Sequence, residues 1–117
     1  MSTRRILIIE DDKELAEGMA DILMDEGFIV EVSGEYNAKL AASVFDAAIL
    51  DYKLKNMTGV DVLKAIKHKN PETRIFMISG RPFIEQILEQ EKVSGLIEGV
   101  FKKPFDINAL IEKIKKS

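Results

Sequence analysis

Acidic side chains directly follow two short apolar segments of this chain. Glu10, Asp11 and Asp12 come after the first such segment, and Asp51 comes after another one. Crowded carboxylates repel one another, and each resists ionisation unless a cation neutralises the group. Mg²⁺ is a hard cation whose ligands are typically one or two carboxylates, phosphate oxygens and water. A fold that brings these segments together would therefore create a Mg²⁺ site.

A hydroxyl and an ammonium group occupy equivalent positions after two further apolar segments, at Ser79 and Lys103. Asp12 alone favours a structural interpretation, because aspartate after a strand is a common helix N-cap. Glu10, Asp11 and Asp51 together favour a functional one, because an aspartate that ends an apolar strand, far from Asp11 in sequence but near it in this fold, has little structural reason to be there.

Five short apolar runs are typical of strands buried on both faces. They are Ile6–Ile9, Phe28–Val32, Ala47–Leu50, Ile75–Ile78 and Val100–Phe101.

Amphipathic stretches between the runs predict five helices. They cover about 13–26, 35–42, 59–69, 82–92 and 107–116. In the first helix, Ile22 is expected on the buried stripe with Met19 and Leu23. Pro82 is expected in the first turn of the fourth helix, and Asp106 is expected to be the N-cap of the last.

The alternation of strands and helices predicts one α/β domain, residues 1–117, with a parallel sheet and helices on both faces. In such a sheet, ligands bind outside the carboxyl ends of the strands. That rule places the carboxylates, Ser79 and Lys103 at one edge.

Composition excludes several other classes of function. The chain has 117 residues, no cysteine and one histidine, His68, so thiolate and multi-histidine metal sites are excluded. A formal net charge of −3 does not suggest direct nucleic-acid binding. No apolar run approaches the roughly 20 residues of a membrane span, and a cytoplasmic location is expected.

Four segments of the chain together resemble the receiver domain of two-component response regulators. They are Ile-Leu-Ile-Ile-Glu10-Asp11-Asp12, Ala-Ile-Leu-Asp51-Tyr-Lys-Leu-Lys-Asn-Met-Thr-Gly59, Phe-Met-Ile-Ser79-Gly80 and Phe-Lys-Lys103-Pro104-Phe105. The resemblance covers essentially the whole chain. It implies a flavodoxin-like (βα)5 fold of the chemotaxis type with strand order 2-1-3-4-5.

The resemblance also implies a role for each matching residue. Asp51 would accept the phosphoryl group, and Mg²⁺ would be held by Glu10, Asp11, Asp51 and the backbone carbonyl of Lys53. Ser79 and Lys103 would contact the phosphoryl group.

Three glycine and proline positions would support these groups. Pro104 would hold Lys103 through a peptide bond that is often cis in this family. Gly59 would let the loop turn into the third helix, and Gly80 would leave the phosphoryl site open.

Three positions depart from the family pattern. Gly80 stands where these domains often have alanine, which adds freedom to the backbone after Ser79. Lys55 stands where these domains usually have proline, which predicts a more mobile loop after Asp51. Val100 stands where they usually have an aromatic that changes rotamer during activation. We therefore expect activation to proceed mainly through the Ser79–Phe83 loop and the start of the fourth helix.

The resemblance predicts a regulatory phosphoacceptor switch, not an enzyme acting on a separate substrate. Its phosphodonor would be a sensor histidine kinase or a histidine phosphotransfer protein. An output domain, an effector or a second copy of the chain would bind the surface of the fourth helix, fifth strand and fifth helix.

Two alternatives come from other classes of protein. One is a receiver-like interaction module that works without phosphorylation, although every residue of the phosphorylation site is present. The other is a Mg²⁺-dependent phosphatase with an aspartyl nucleophile, which usually has its general acid at the position of Lys53.

Overall fold

The computed structural model describes residues 3–116, in which five strands and five helices alternate. The strands are β1 (Arg5–Ile9), β2 (Ile29–Ser33), β3 (Ala47–Asp51), β4 (Arg74–Ser79) and β5 (Gly99–Lys102). The helices are α1 (Lys13–Asp25), α2 (Ala38–Ala41), α3 (Gly59–Lys69), α4 (Ile84–Gln90) and α5 (Ile107–Lys115). A short 3₁₀ turn, Ser94–Leu96, lies between α4 and β5.

The strands form a parallel sheet in the order β2-β1-β3-β4-β5, which confirms the predicted flavodoxin-like α/β fold. Two apolar layers cover its faces. Side chains of α1 and α5 pack on one face, while those of α2, α3 and α4 pack on the other. The three inner strands are therefore almost completely buried.

Local sequence signals define most of the helix ends. The Asp12 carboxylate accepts a hydrogen bond from the backbone N–H of Leu15, which confirms its interpretation as an N-cap. The Asp106 carboxylate caps α5 in the same way by accepting from the N–H of Asn108. Thr58 and Asp61 form a capping box at the start of α3.

The prediction that the second run is buried on both faces is wrong. β2 is an edge strand, and it exposes Ile29 and Val32. Only β1 pairs with it among the described residues, so neither of its faces is fully covered. Ile22 was expected on the buried stripe of α1, but it is also exposed, because Ala16, Met19, Ala20 and Leu23 fill that contact surface.

The fourth helix starts two residues later than the sequence predicts. Phe83 occupies the N-cap position with φ of 59°, a left-handed conformation that is unusual for a non-glycine residue. Pro82 therefore precedes the helix instead of forming its first turn. Ile84 and Leu88 are buried, whereas Phe83 is 71% exposed.

Arg74 anchors the last helix to the sheet, a role that sequence patterns did not reveal. Its guanidinium pairs with Glu98 at 2.9 Å and donates to the carbonyl oxygens of Lys113, Ile114 and Lys116. A cation at these carbonyls satisfies the free acceptors at the end of α5.

Candidate functional site

The predicted site residues meet at the carboxyl edge of the sheet. Glu10 and Asp11 follow β1, Asp51 ends β3, Ser79 ends β4 and Lys103 follows β5. Because β1, β3, β4 and β5 are neighbours in that order, their ends lie side by side. The parallel topology thus brings together groups up to 93 positions apart in the sequence (Glu10 to Lys103).

Three carboxylates form a compact cluster at this edge. One oxygen each from Glu10, Asp11 and Asp51 lies within 4.8 Å of the others. Glu10 and Asp51 are only 2% and 5% exposed, respectively, whereas Asp11 is exposed to solvent. Water therefore screens the two buried carboxylates poorly, and their mutual repulsion is strong.

Lys103 partly compensates this negative charge. Its Nζ lies 2.7 Å from Oε1 of Glu10 and 3.4 Å from Oδ2 of Asp51. The Lys103–Pro104 peptide bond is cis, and the N–H of Lys103 donates to the Ser79 carbonyl at 2.8 Å. The backbone of this loop is thus tied to the end of β4.

Burial and neighbouring charges shift the pKa values of both Asp51 and Lys103. Burial raises the pKa of Asp51 to about 7, and the neighbouring Glu10 carboxylate adds to the increase, while Lys103 opposes it. Burial lowers the pKa of Lys103, but Glu10 and Asp51 outweigh this effect and the net pKa is raised. The Lys103 ammonium therefore stays charged. Its single positive charge does not balance the three clustered carboxylates.

The loop after β3 leaves one backbone carbonyl without an internal hydrogen bond. Lys53 and Thr58 face each other in an antiparallel bridge, and the hydrogen bonds on either side use Tyr52, Leu54, Met57 and Gly59. No backbone N–H in residues 3–116 donates to the Lys53 carbonyl. That oxygen is therefore not used by the backbone hydrogen bonds of the loop, and its role as a metal ligand stays a prediction.

Gly59 is required for a reason that differs from the predicted one. Its backbone angles are helical, so it does not supply a left-handed turn. Instead, a Cβ at this position would lie 2.6 Å from the Asp51 carbonyl oxygen and 2.8 Å from Sδ of Met77. The absence of a side chain lets α3 start directly against the end of β3.

Ser79 ends β4 and Gly80 follows it, on the side of Asp51 away from Glu10 and Asp11, which follow β1. The buried Ser79 hydroxyl oxygen accepts a hydrogen bond from the N–H of Arg81 at 2.9 Å. A Cβ at Gly80 would meet only Lys103 Cβ, at an ordinary distance of 3.8 Å. Position 80 therefore has space for a side chain, and the role of Gly80 at the phosphoryl site stays a prediction.

A cavity of about 450 Å³ opens beside the cluster. Its walls include Glu10, Asp11, Tyr36, Lys55 and Met57. The acidic groups can therefore be reached from solvent on the side of the loop that contains Lys55.

Val100 lies on β5 at the edge of the apolar layer beneath α4. It is half-buried and packs with the α3 and α4 side chains, whereas the adjacent Phe101 packs with the α1 and α5 side chains. The two side chains thus point to opposite faces, as strand geometry predicts. Phe101 therefore does not take the place of the aromatic residue that family members usually have at position 100.

Contacts around Tyr52 were missed by sequence reasoning. Its hydroxyl donates to Glu91 at 3.0 Å, and the Arg81 guanidinium lies 5.8 Å from the centre of its ring. No local motif predicts these contacts, because they depend on how α4 docks on the sheet.

The donor set fits a hard divalent cation. All available ligands are oxygens, namely three clustered carboxylates and the Lys53 carbonyl. The Oε1 atom of Glu10 is buried and accepts no hydrogen bond among residues 3–116, although Lys103 lies at ion-pair distance. Lys103 is thus the counterion of Glu10, and an additional cation would relieve the remaining repulsion among the three carboxylates.

An acidic cluster, a lysine and a hydroxyl at the carboxyl edge of a 2-1-3-4-5 parallel sheet define a receiver-type signalling domain. The family model described as response regulator receiver domain matches residues 6–115. The chain therefore belongs to this family.

Individual relatives agree with this assignment. The transcriptional regulatory protein CpxR of Escherichia coli is 31% identical, with coverage of 95% of this chain and 47% of the relative. A CheY-like receiver domain protein from Methanospirillum hungatei is 30% identical, with a TM-score of 0.85 and coverage of 98% and 93% of the two chains.

A more distant structure shows the fold alone. It is a Burkholderia pseudomallei response regulator described with a phosphorylated aspartic acid, a calcium ion and citrate. Its TM-score is 0.82 at 22% identity, with coverage of 97% of this chain and 67% of that chain. This chain spans about half the length of the curated relatives that it matches. Within the described residues, every helix is too short or too polar to cross a bilayer.

Proposed function

We propose that this chain is a phosphoacceptor switch in which Asp51 receives a phosphoryl group from a sensor histidine kinase or a histidine phosphotransfer protein. One observation carries the proposal: Asp51 is buried beside two carboxylates, yet Lys103 lies 3.4 Å from it. A carboxylate in this position is unfavourable for folding but well placed to react.

The proposed transfer is a displacement at phosphorus. A carboxylate oxygen of Asp51 forms the new P–O bond, the P–N bond to the donor imidazole breaks, and its electron pair remains on the nitrogen. The Lys103 ammonium pairs with the negative phosphoryl oxygens. The Ser79 hydroxyl donates a hydrogen bond to the transferred group.

We assign the metal ligands to Glu10, Asp11, Asp51 and the Lys53 carbonyl, with Glu10 acting through water. When bound, Mg²⁺ supplies positive charge that neutralises the phosphoryl oxygens. Lys103 and the cation would thus share the compensation of the acidic cluster.

Phosphorylation would shift an existing conformational equilibrium. In our proposal, Ser79 and Lys103 move towards the phosphoryl group, and the surface formed by α4, β5 and α5 reports the change. The partner on this surface is an output domain, an effector or a second copy of the chain. This signalling takes place in the cytoplasm.

The two alternatives are less well supported. An interaction module without phosphorylation would have no need to keep Asp51 and Glu10 buried together. A phosphatase would need an acid at position 53, where the structure has an exposed lysine.

The relatives named as transcriptional regulators are about twice as long as this chain. The formal net charge of −3 favours a protein partner for this chain over direct contact with nucleic acid.

The proposal is tested by incubating the protein with Mg²⁺ and either acetyl phosphate or a phosphohistidine protein. Intact-mass measurement should show one added phosphoryl group in the wild type and none in Asp51→Asn. An Asp51→Asn protein that gains the group at the same rate would exclude Asp51 as the acceptor.

Metal binding gives a second test. Millimolar Mg²⁺ should raise the melting temperature, because binding to the folded state stabilises it and relieves carboxylate repulsion. Asp11→Ala should abolish this increase, while Asp12→Asn, which keeps the α1 cap, should retain it. Thermal unfolding followed by circular dichroism measures the effect, and an unchanged response in Asp11→Ala would remove Asp11 from the ligand set.

The route of activation gives a third test. With beryllofluoride as phosphoryl mimic, amide NMR signals from Ser79 to Leu88 should move most strongly outside the site itself. Val100 should keep one rotamer, because its β-branched side chain is short and stiff. Stationary signals over 79–88 combined with a rearranged Val100 and β5 would contradict this route.

A further inference from the structure

Tyr52 contacts both ends of the segment that carries α4. At one end, the Arg81 guanidinium lies 5.8 Å from the centre of the Tyr52 ring, within the range of a cation–π interaction. At the other end, the Tyr52 hydroxyl donates to Oε2 of Glu91, the C-cap residue of α4, at 3.0 Å. Side chains from the two flanks of this seven-residue helix therefore converge on one tyrosine.

The backbone of Tyr52 is fixed next to Asp51. Its N–H donates to the Ile78 carbonyl at 2.9 Å, and its own carbonyl accepts from the N–H of Gly59 at 2.7 Å. Only 8% of Tyr52 is exposed, and the residue belongs to the apolar layer beneath α4. Tyr52 is thus held by its backbone and by its packing directly next to Asp51.

The turn that leads into α4 is held less firmly than the helix itself, which is anchored by the buried Ile84 and Leu88. The N-cap residue Phe83 makes no side-chain capping hydrogen bond, is left-handed and is largely exposed. Non-glycine residues in this conformation are strained unless their surroundings hold them. The contact between Tyr52 and Arg81 lies beside this turn, and the contact with Glu91 lies at the other end of the helix.

A continuous set of contacts links this turn to the proposed phosphoryl site. The N–H of Arg81 donates to the Ser79 hydroxyl oxygen at 2.9 Å, and the Arg81 side chain covers Tyr52. Movement of Ser79 towards a phosphoryl group would pull on Arg81 and weaken its position over the ring. The same movement would release the α4 segment from Tyr52.

We infer that Tyr52 is a positioning residue that holds α4 in its unphosphorylated arrangement through Arg81 and Glu91. This inference rests on the proposed phosphoacceptor function. It gives the chain an aromatic restraint on α4 at a position other than Val100, directly after the strand that bears the acceptor.

Tyr52→Phe is the most selective test, because it keeps the ring and removes only the hydroxyl. Without ligand, amide NMR signals of residues 84–91 should move towards their positions in the beryllofluoride-bound wild type. The affinity for beryllofluoride in the presence of Mg²⁺ should rise by about tenfold or more, the effect of losing one hydrogen bond to a charged group in the competing state.

Variants of Glu91 test the partner of the hydroxyl. Glu91→Ala should reproduce the effect of Tyr52→Phe, and the double variant should show no further increase in affinity. Glu91→Gln should give a smaller effect, because its amide oxygen still accepts the hydrogen bond. Additive effects in the double variant would contradict a shared interaction.

Glu89→Ala is the matched control for Glu91→Ala. Glu89 is an exposed carboxylate on the same helix, and its side chain makes no hydrogen bond or ion pair within residues 3–116. Its substitution should leave the beryllofluoride affinity unchanged and should move only the amide signals of its immediate neighbours.

The outcomes separate this inference from the proposed function. If wild-type protein binds beryllofluoride, but Tyr52→Phe only lowers stability without moving the α4 signals, Tyr52 has a merely structural role and the inference is wrong. If the wild type neither binds beryllofluoride nor accepts a phosphoryl group, the proposed function is wrong and this inference fails with it.

Discussion

Lys103→Ala is expected to slow phosphorylation of Asp51 by about 100-fold or more, since it removes a preorganised positive charge from the reacting group. It also leaves Glu10, whose side chain is fully buried, without its ion-pair partner. Uncompensated buried charges are costly, and the free energy of unfolding should fall by about 2–4 kcal/mol at pH 8. Phosphorylation kinetics and urea denaturation measure the two effects separately.

Lys102→Ala is the matched control for this prediction. Lys102 is the adjacent residue, but its exposed ammonium pairs with Glu85 at 2.8 Å on the surface. Surface pairs contribute little to stability, so Lys102→Ala should retain both normal phosphorylation and nearly normal stability. Similar losses in the two variants would show that positive charge near β5, and not the position of Lys103, is what matters.

Gly59→Ala is expected to lower the free energy of unfolding by about 2 kcal/mol through overpacking. The new methyl group would overlap the Asp51 carbonyl oxygen and the Met77 sulfur. Methionine can move, but the carbonyl belongs to the backbone of the acceptor residue. The substitution should therefore also reduce the phosphorylation rate of Asp51.

Gly18→Ala provides the comparison for this loss. Gly18 lies inside α1, and a Cβ there would meet no other atom within 4 Å. Alanine is favoured over glycine in a helix by roughly 1 kcal/mol, so this variant should be more stable than the wild type. If Gly59→Ala were equally stabilising in urea denaturation, the close approach of α3 to β3 would not be a constraint.

The order of strands and helices could be predicted because the chain alternates between two clear hydrophobic patterns. The bounds of α3 and the caps at Asp12 and Asp106 were also readable, since they depend on local chemistry. The exposure of β2 was not, because the run Phe28–Val32 gives no sign that only one neighbour covers it. The start of α4 was missed because left-handed phenylalanine has no sequence signature.

The residues of the site could be placed at one edge because each one follows a strand in a parallel sheet. Sequence reasoning did not show that Lys103 lies closer to Glu10 than to Asp51 in the unphosphorylated protein. It also missed the contact between Tyr52 and Glu91, which joins residues 39 positions apart. Such pairs depend on the docking of a helix, and local patterns do not determine it.

The central claim is that Asp51 forms an acyl phosphate, and borohydride reduction tests it most directly. The protein is first phosphorylated in the presence of Mg²⁺ by a phosphohistidine donor. Borohydride then converts an aspartyl phosphate to homoserine, whose position is found by peptide mass spectrometry. Our account predicts homoserine at position 51 only, and none when Mg²⁺ or the donor is omitted. Homoserine at Asp11 or Asp12, or a phosphoryl group retained on His68 or Ser79 with position 51 unchanged, would contradict it.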